Sequence, residues 1–358
     1  MAASTALRWK LADDAPQGAL FADDDVVERH VGAGEYRGLE FLHVKARRVV
    51  NDVPASSRMP FRYTINAYRG CSHACVYCFA RPTHDYLGLG IGRDFDTKIV
   101  VKINAVEQLR AELRSPKWRG SHIAMGTNTD PYQRAEGKYH LTRGIIGALG
   151  EARNPFSILT KSTLVLRDVD VLQRAARRTH VRLDLSIGSL DPNVWRATEP
   201  GTPHPLRRVG AVAKLNAAGI PCGVLIAPIQ PGISDHPDQL REVVDACVEA
   251  GAVSVGAISL HLRPGVREHY LDWLARERPD DVAAYERRYK RAYLSTADQN
   301  KVTQTVAEMV ADARRRTGMH PSPAWRVLPD VTPAPASRRV ISTDMDAPRT
   351  VQTEMFNV

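Results

Sequence analysis

Three cysteines within eight residues form the part of this sequence with the clearest capacity for chemistry. Cys71, Cys75 and Cys78 follow the spacing C-x3-C-x2-C, and a turn around a small object would aim all three sulfurs inward. Soft thiolates of this kind select zinc or iron–sulfur clusters over hard cations. An ordinary cubane cluster takes four cysteines, so three thiolates on four irons leave one iron open. An open coordination position is typical of a metal site that performs chemistry.

A structural zinc site is the alternative interpretation of the same motif. Zinc would need a fourth ligand, such as His73 between the first two cysteines or a more distant histidine. The two remaining cysteines are poor candidates. Cys222 begins a predicted strand, which places it at the end of a barrel opposite the site, and Cys247 lies on the apolar stripe of a predicted helix. We interpret both as small buried hydrophobic residues.

Length and composition restrict the class of protein. The 358 residues suffice for one large barrel-type domain with appendages or for two ordinary domains, with 43% hydrophobic and 25% charged residues. No apolar run reaches the length of a membrane span, and residues 1–16 lack the apolar segment of a secretory signal. Five cysteines, three of them clustered, indicate metal binding in a reducing compartment, so we expect a cytoplasmic protein without a membrane partner.

The net charge of +9 permits a polyanionic partner such as a nucleic acid. The basic runs, for example residues 287–291 and 314–316, fall in helical patterns, where a solvent-exposed face explains them equally well. Charge alone therefore leaves the partner open.

The chain divides into four regions by pattern. Residues 1–60 form an N-terminal extension, 61–263 a barrel domain, 264–320 a helical region with helices near 266–276, 281–294 and 299–317, and 321–358 a proline-rich tail. In the barrel region apolar runs alternate with helical periodicity, which predicts a parallel sheet with right-handed crossovers. No G-x-G-x-x-G follows the first strand, so a dinucleotide-binding fold has no support. The predicted strands are 62–67, 98–103, 122–125, 156–159, 181–187, 223–229 and 253–260.

Polar residues follow five of these strands at the point where each one ends. In parallel α/β folds ligands bind at the carboxyl ends of the strands, so we expect these residues to form one polar rim that faces the cysteine motif. They are Thr127 to Asp130, Thr160 to Ser162, Ser186 with Ser189, Gln230, and His261 with Arg263.

Four longer phrases resemble the spore photoproduct lyase-like radical S-adenosylmethionine (SAM) proteins, in the subgroup described as DNA repair photolyase-related. The resemblance covers about residues 40 to 290. It implies an α/β fold, a partial (β/α)6 TIM-type barrel of the radical SAM type with an N-terminal extension and C-terminal helices. The phrases are N-A-Y-R-G-C from Asn66, C-F-A-R-P-T-H from Cys78, G-T-N-T-D-P-Y-Q from Gly126, and L-T-K-S from Leu159.

The resemblance also implies a reaction. In that superfamily the open iron of a [4Fe-4S] cluster chelates SAM, and an electron from the cluster cleaves SAM to a 5′-deoxyadenosyl radical that abstracts hydrogen from a substrate. The implied partners are SAM, an electron donor such as flavodoxin or ferredoxin, and a substrate that is open between a nucleic acid, a peptide and a small metabolite. A metal- or cluster-bearing nucleic-acid-binding protein without turnover is the alternative function.

The resemblance assigns roles to seven residues. Cys71, Cys75 and Cys78 are expected to ligate the cluster, and Phe79 to lie against the adenine of SAM. The residues expected to hold the SAM carboxylate, ribose or amine are Thr129, Lys161 and Ser186. Further candidates that could face a substrate are Tyr132, Asp130, His84, Glu199 with Arg207, and His261 with Arg263; Tyr132 is also a candidate hydrogen-atom relay.

Thr127 departs from the family pattern. The lyases have a cysteine at this position, two residues before the one matched by Thr129, and use it as the hydrogen donor to the substrate radical. A threonine O–H bond is far too strong to replace a thiol, so the sequence argues against thymine-dimer reversal by the same route.

Overall fold

The computed structural model describes residues 26–54 and 59–319. The proline-rich tail predicted for 321–358 lies outside these residues, as does the start of the N-terminal extension. The strands of the described part are β1 (Val26–Val31), β2 (Glu40–Val44), β3 (Val50–Asp52), β4 (Tyr63–Ile65), β5 (Tyr68–Arg69), β6 (Lys98–Lys102), β7 (Ile123–Met125), β8 (Phe156–Thr160), β9 (Val181–Ser186), β10 (Cys222–Ile229) and β11 (Val255–Ser259).

The larger sheet has the strand order β11-β10-β9-β8-β7-β4-β3. Its six strands from β4 to β11 run parallel, and β3 adds to β4 in the antiparallel sense at one edge. Six parallel strands with intervening helices agree with the predicted (β/α)6 architecture. Their side chains fit this position, since β10 is almost continuously apolar, as expected for a parallel strand covered by other elements.

The helices cover this sheet and continue beyond it. Three of them, α6 (Pro192–Thr198), α7 (Pro205–Ala217) and α8 (Pro237–Glu249), begin with a proline in the first turn directly after a capping side chain from Asp191, His204 or His236. The helices are α1 (Arg93–Thr97), α2 (Ala105–Arg114), α3 (Arg134–Tyr139), α4 (Leu141–Glu151), α5 (Val169–Ala176), α6 (Pro192–Thr198), α7 (Pro205–Ala217), α8 (Pro237–Glu249), α9 (Val266–Glu277), α10 (Val282–Arg288) and α11 (Thr296–Thr317).

A smaller second sheet holds the N-terminal hairpin, in the order β1-β2-β6-β5. The sequence pattern placed 98–103 among the barrel strands, which is wrong: β6 pairs with β2 in parallel and with β5 in the antiparallel sense. The apolar pattern of a strand indicates that the strand is buried, but it does not indicate which strands pair with it. This sheet matters for function because β5 leads directly into the cysteine motif.

One hydrophobic core joins the larger sheet to α4, α7, α8 and α11, and it contains Cys222 and Cys247, both fully buried. A second cluster joins part of the cysteine motif to side chains of α9 and α10. The helix predicted for 281–294 is shorter than expected and ends at Arg288. Tyr289 leaves the helical conformation, and Tyr293 forms a β-bridge with His261. In the described part of the chain, no helix combines the length and apolar character needed to cross a bilayer.

Candidate functional site

The cysteine motif is a coiled loop that leaves β5 through Gly70. This glycine has φ +76°, and a Cβ there would lie 2.9 Å from the carbonyl oxygens of Phe95 and Lys98, so a larger residue does not fit. Successive turns follow, in which the backbone N–H of Cys78 donates to the carbonyl of Cys75 at 3.2 Å. These turns wind the chain so that three cysteines share a small volume.

Arg81 fixes the shape of this loop from inside. Its side chain is 1% exposed, and Nε and Nη2 both donate to the Cys75 carbonyl, at 3.2 and 3.0 Å. The guanidinium also pairs with Asp96 at 2.8 Å, which balances its charge. A buried arginine with this many acceptors stabilises one loop conformation, because each donor would otherwise lose its hydrogen bond to water.

Thr129 and Gln133 attach the loop to the end of β7. The Thr129 hydroxyl donates to the Gly70 carbonyl at 2.7 Å, and the Gln133 amide donates to the same carbonyl and to Thr129 Oγ1, both at 2.8 Å. The Gln133 carbonyl in turn accepts from the Ser72 backbone at 3.0 Å. Thr129, expected to contact SAM, thus lies beside the loop with its hydroxyl bonded to the protein.

Asp130 joins the loop to the end of β8. Its carboxylate accepts from the backbones of Tyr132 and Lys161, at 2.8 and 2.7 Å, and from the Thr160 hydroxyl at 2.6 Å. It also lies 3.4 Å from Nδ1 of His73. Burial alone raises the pKa of Asp130, but His73 and these donors hold that pKa below its usual value. Asp130 therefore acts here as an ionised structural acceptor.

Lys161 and Ser186 meet in a largely buried charged cluster that also contains Glu199, Tyr77 and Arg208. Lys161 Nζ donates to Ser186 Oγ at 2.7 Å and lies 3.1 Å from Glu199 Oε1. Arg208 Nη2 lies 2.5 Å from Glu199 Oε2, and the Tyr77 hydroxyl donates to Oε1. Burial raises the pKa of Glu199, but Arg208 and Lys161 outweigh it and bring the pKa to about 2.

Arg208 and Tyr77 are members of this cluster that the sequence interpretation missed. The partner expected for Glu199 was Arg207; the structure has Arg208, because that residue lies on the buried face of α7. A signal for it exists: Pro205, Arg208, Ala211, Val212 and Leu215 follow helical spacing, so Arg208 is a charge on an apolar stripe.

Phe79 stands next to the third cysteine with 43% of its surface exposed. Its ring centroid lies 5.7 Å from that of His261, which stacks on Tyr293 at 5.4 Å. Arg263 donates to the Tyr293 hydroxyl at 2.6 Å. The predicted rim pair of His261 and Arg263 is therefore held in place by Tyr293, which also forms the β-bridge with His261. Burial and Arg263 lower the pKa of His261 to about 4, so its imidazole is neutral at pH 7. An exposed aromatic ring beside the cysteines is a surface on which a flat ring could stack.

Tyr132 and His84 do not lie at the rim. Tyr132 is 1% exposed within the main core, where burial and the charge of Asp168 raise its pKa. His84 is fully buried, packs against Phe95 and has Nε2 3.0 Å from the Lys98 carbonyl.

Five buried side-chain polar atoms in the described residues have no hydrogen-bond partner, and two of them, on Tyr132 and His84, lie away from the rim. Three lie at the carboxyl ends of larger-sheet strands: Oδ1 of Asn66 after β4, Oγ1 of Thr127 after β7, and Oγ of Ser259 in β11. Such atoms cost free energy unless something pairs with them. A polar ligand at this edge, such as SAM or a substrate, fits them.

The spacing of the sulfurs distinguishes between the two kinds of metal site. In the described residues, the one set of three histidine, cysteine or carboxylate groups whose ligand atoms all lie within 4.8 Å of one another is Glu28, His30 and His43. At least one pair of the three cysteine sulfurs is therefore more than 4.8 Å apart, whereas thiolates on one tetrahedral zinc lie about 3.8 Å apart. His73, one of the histidines considered as a fourth zinc ligand, pairs with Asp130. The residues fit a multi-iron cluster better than a single zinc.

Gly201 lies against the backbone of the cysteine loop, where a larger residue does not fit. Its N–H donates to the His73 carbonyl at 3.0 Å, and a Cβ on it would lie 2.2 Å from the Ser72 carbonyl oxygen. In Gly201→Ala the loop must move, so we expect the free energy of unfolding to fall by about 1–3 kcal/mol and bound iron to decrease. Chemical denaturation and iron analysis of the purified variant measure both.

The matched control is Gly210→Ala in α7, where the added methyl meets open space. Because alanine favours a helix over glycine, this variant should gain up to about 1 kcal/mol and keep its iron. If both alanine variants lost iron to the same extent, close packing at Gly201 would not be the cause.

Comparison with known proteins places the chain in a family. The model of the radical SAM superfamily matches residues 65–256, which include the cysteine motif and the strands from β7 to β10. An uncharacterised protein of Mycobacterium tuberculosis is 44% identical over 296 residues, 82% of this chain and 87% of that protein. An uncharacterised protein of Methanocaldococcus jannaschii is 30% identical over 197 residues, 55% of this chain and 70% of that protein.

Among solved structures, a spore photoproduct lyase complexed with a dinucleoside spore photoproduct superposes with a TM-score of 0.57 at 18% identity, covering 76% of this chain and 79% of that one. At this identity the likeness concerns the fold. Together with the family match, it confirms the resemblance found in the sequence. The chain belongs to the radical SAM superfamily, and it is an enzyme of that superfamily.

Proposed function

We propose that Cys71, Cys75 and Cys78 hold a [4Fe-4S] cluster with one open iron, and that SAM binds to that iron beside Phe79, Lys161 and Ser186. The observation that carries the proposal is a set of three cysteines on one loop, two of them buried and one partly buried, whose sulfurs do not all lie within 4.8 Å of one another. When bound, cluster and SAM supply an electron and then a 5′-deoxyadenosyl radical, which takes a hydrogen atom from the substrate.

The side chains around the cysteines would then bind and orient SAM. Phe79 offers an exposed ring face to the adenine. Lys161 offers a point charge to a carboxylate, and the Ser186 hydroxyl can both donate and accept. Thr129 is a further candidate contact for SAM, and its hydroxyl donates a hydrogen bond to the Gly70 carbonyl.

Glu199 and Arg208 would set the position of Lys161. The Glu199 carboxylate lies between the lysine and Arg208, so Lys161 is held by charge on one side and by Ser186 on the other. Burial of the whole group excludes water from the loop, which favours radical chemistry because side reactions with solvent are suppressed.

For the substrate we propose a nucleic acid, supported by the net charge of +9 and by exposed basic residues after α9, among them Arg287, Arg288 and Arg291. Thr127 cannot donate hydrogen as a thiol does. The hydrogen atom that ends the reaction would therefore come from another group, or from the methyl group of 5′-deoxyadenosine as SAM is re-formed. Electrons would come from a small redox protein such as flavodoxin or ferredoxin.

Anaerobic reconstitution with iron and sulfide tests the proposal. We expect a brown protein with about four irons per chain, and formation of 5′-deoxyadenosine when SAM and dithionite are added. Iron analysis, the visible spectrum and chromatography of the nucleoside products provide the measurements. A colourless protein with zinc on its cysteines and no cleavage of SAM would overturn it.

Binding of a nucleic acid is tested separately. If phosphates are neutralised by the basic residues, affinity for single- and double-stranded oligonucleotides should fall steeply as salt rises. Binding that is absent at low salt would remove the nucleic acid as substrate class and leave the chemistry at the cluster untouched.

A further inference from the structure

The N-terminal hairpin brings two histidines and a glutamate together on one face. In the antiparallel pair of β1 and β2, Glu28 lies opposite His43, and His30 is two residues further along β1. Because side chains alternate across a strand, all three project from the same face. Their ligand atoms all lie within 4.8 Å of one another.

One carboxylate oxygen faces both imidazoles. Oε2 of Glu28 lies 2.9 Å from Nε2 of His30 and 3.6 Å from Nδ1 of His43. Ligand atoms on one tetrahedral zinc with Zn–N and Zn–O bonds near 2.1 Å are about 3.4 Å apart, so both distances are close to that spacing. The ring centroids of the two histidines are only 4.3 Å apart, a separation at which two protonated rings would repel each other.

Tyr139 orients the His43 ring. Its hydroxyl lies 2.8 Å from Nε2 of His43, and their ring centroids are 5.2 Å apart in an edge-on contact. A histidine that binds a metal through one nitrogen characteristically donates the N–H of the other to an acceptor, which fixes the ring. Tyr139 at the end of α3 is placed to be that acceptor, and this leaves Nδ1 facing Glu28.

The site is open on one side. The exposed fraction of the side chain is 12% for His43, 35% for His30 and 59% for Glu28, so an ion reaches the ligands from solvent. A positive charge near the site is the ammonium group of Lys138, which lies over the rings of Phe41 and Tyr139. This charge lowers the affinity of the site for a cation, and the negative charge of the Glu28 carboxylate raises it.

We propose that Glu28, His30 and His43 bind a divalent transition-metal ion of the zinc type, with water completing the coordination. Two imidazoles and a carboxylate suit zinc, and hard ions such as magnesium prefer sites made only of oxygen ligands. The site uses none of the cysteines. It ties β1 to β2, and through Tyr139 it ties the hairpin to α3, so its role is to stabilise the smaller sheet that leads into the cysteine loop.

Titration with zinc of the full chain carrying its iron–sulfur cluster tests the site, because the cysteines are then occupied. We expect one zinc per chain by calorimetry and metal analysis, without loss of iron, and a rise in melting temperature. Glu28→Gln and His30→Ala should weaken zinc binding by more than about 100-fold, and Tyr139→Phe by about 10- to 100-fold. Glu28→Gln alters an exposed side chain, so this variant folds and keeps the test valid.

The control is His236→Ala, which removes a histidine that is 67% exposed at the N-cap of α8, and this variant should leave zinc binding unchanged. Three results would overturn the proposal: no zinc bound at micromolar concentration, zinc taken up only as iron is lost, or equal affinity in Glu28→Gln and the wild-type protein.

Discussion

We expect Cys75→Ala, reconstituted anaerobically, to contain essentially no cluster iron and to form no 5′-deoxyadenosine above background. Cys75 is 6% exposed and lies between the other two cysteines of the loop. Two remaining thiolates cannot hold four irons against loss to solvent, because each iron that the protein binds needs its own thiolate. The measurements are iron per chain, the visible spectrum and nucleoside products after incubation with SAM and dithionite.

The control for this variant is Cys247→Ala. Cys247 is fully buried on α8 and belongs to the main core, so removing its sulfur leaves a small cavity and costs about 1 kcal/mol. Iron content should not change. Equal loss of iron in the two variants would show that Cys247 is a ligand or that both losses reflect unfolding, and circular dichroism separates these explanations.

The second large effect is expected for Glu199→Gln. Glu199 is 4% exposed and accepts from Lys161, Arg208 and Tyr77. Replacing the carboxylate with an amide leaves two buried cations without their counter-charge, a change that costs about 3–5 kcal/mol. Urea denaturation at pH 7 should show this loss, together with weaker SAM binding because Lys161 loses one of the groups that position it.

The pH dependence of the stability difference between wild type and Glu199→Gln tests whether the charge of Glu199 is its cause. The pKa of Glu199 is about 2 in the folded protein, against a usual value of 4.5. A lowered pKa stabilises the fold by about 3 kcal/mol, fully above pH 4.5, and the contribution disappears as the pH falls towards 2. The gap between wild type and Glu199→Gln should therefore narrow below pH 4.5.

Glu151→Gln is the matched control, since Glu151 is 64% exposed and pairs with Arg110 at 3.3 Å on the surface. An exposed pair contributes about 0–1 kcal/mol, so this variant should unfold almost like the wild type. A comparable loss in Glu151→Gln would mean that removing any carboxylate is enough, and burial at Glu199 would not matter.

The elements with a strong local pattern could be predicted from the sequence. The α8 stripe of Leu240, Val243, Val244, Cys247 and Val248 is buried as its spacing predicted, because helical periodicity reports which face is covered. The three cysteines were recognisable for a related reason, since ligand spacing is a local property of the chain. Pairing between strands is not local, which is why β6 was placed in the wrong sheet.

The polar side chains were harder to place than the apolar ones. Asp130 and Tyr132 stand two residues apart in a phrase shared with the family, yet Tyr132 is buried in the main core and Asp130 is bonded to the cysteine loop and to the end of β8. In this structure both side chains contact other parts of the protein. Which neighbour of a functional residue touches the ligand depends on side-chain direction at the end of a short strand, and β7 has only three residues to show its alternation.

The second hydrophobic cluster places tyrosines of the C-terminal helices together with the cysteine loop. Tyr270 and Tyr285 share it with Cys75 and Tyr77. These helices begin after residue 256, where the match to the superfamily ends. An iron–sulfur centre survives in air only as long as dioxygen is kept away from it. If the loop holds the cluster we propose, part of the barrier to dioxygen comes from a segment that the shared domain does not include. We therefore expect substitutions in these helices to change how long the proposed cluster survives in air, with the three cysteines left as they are.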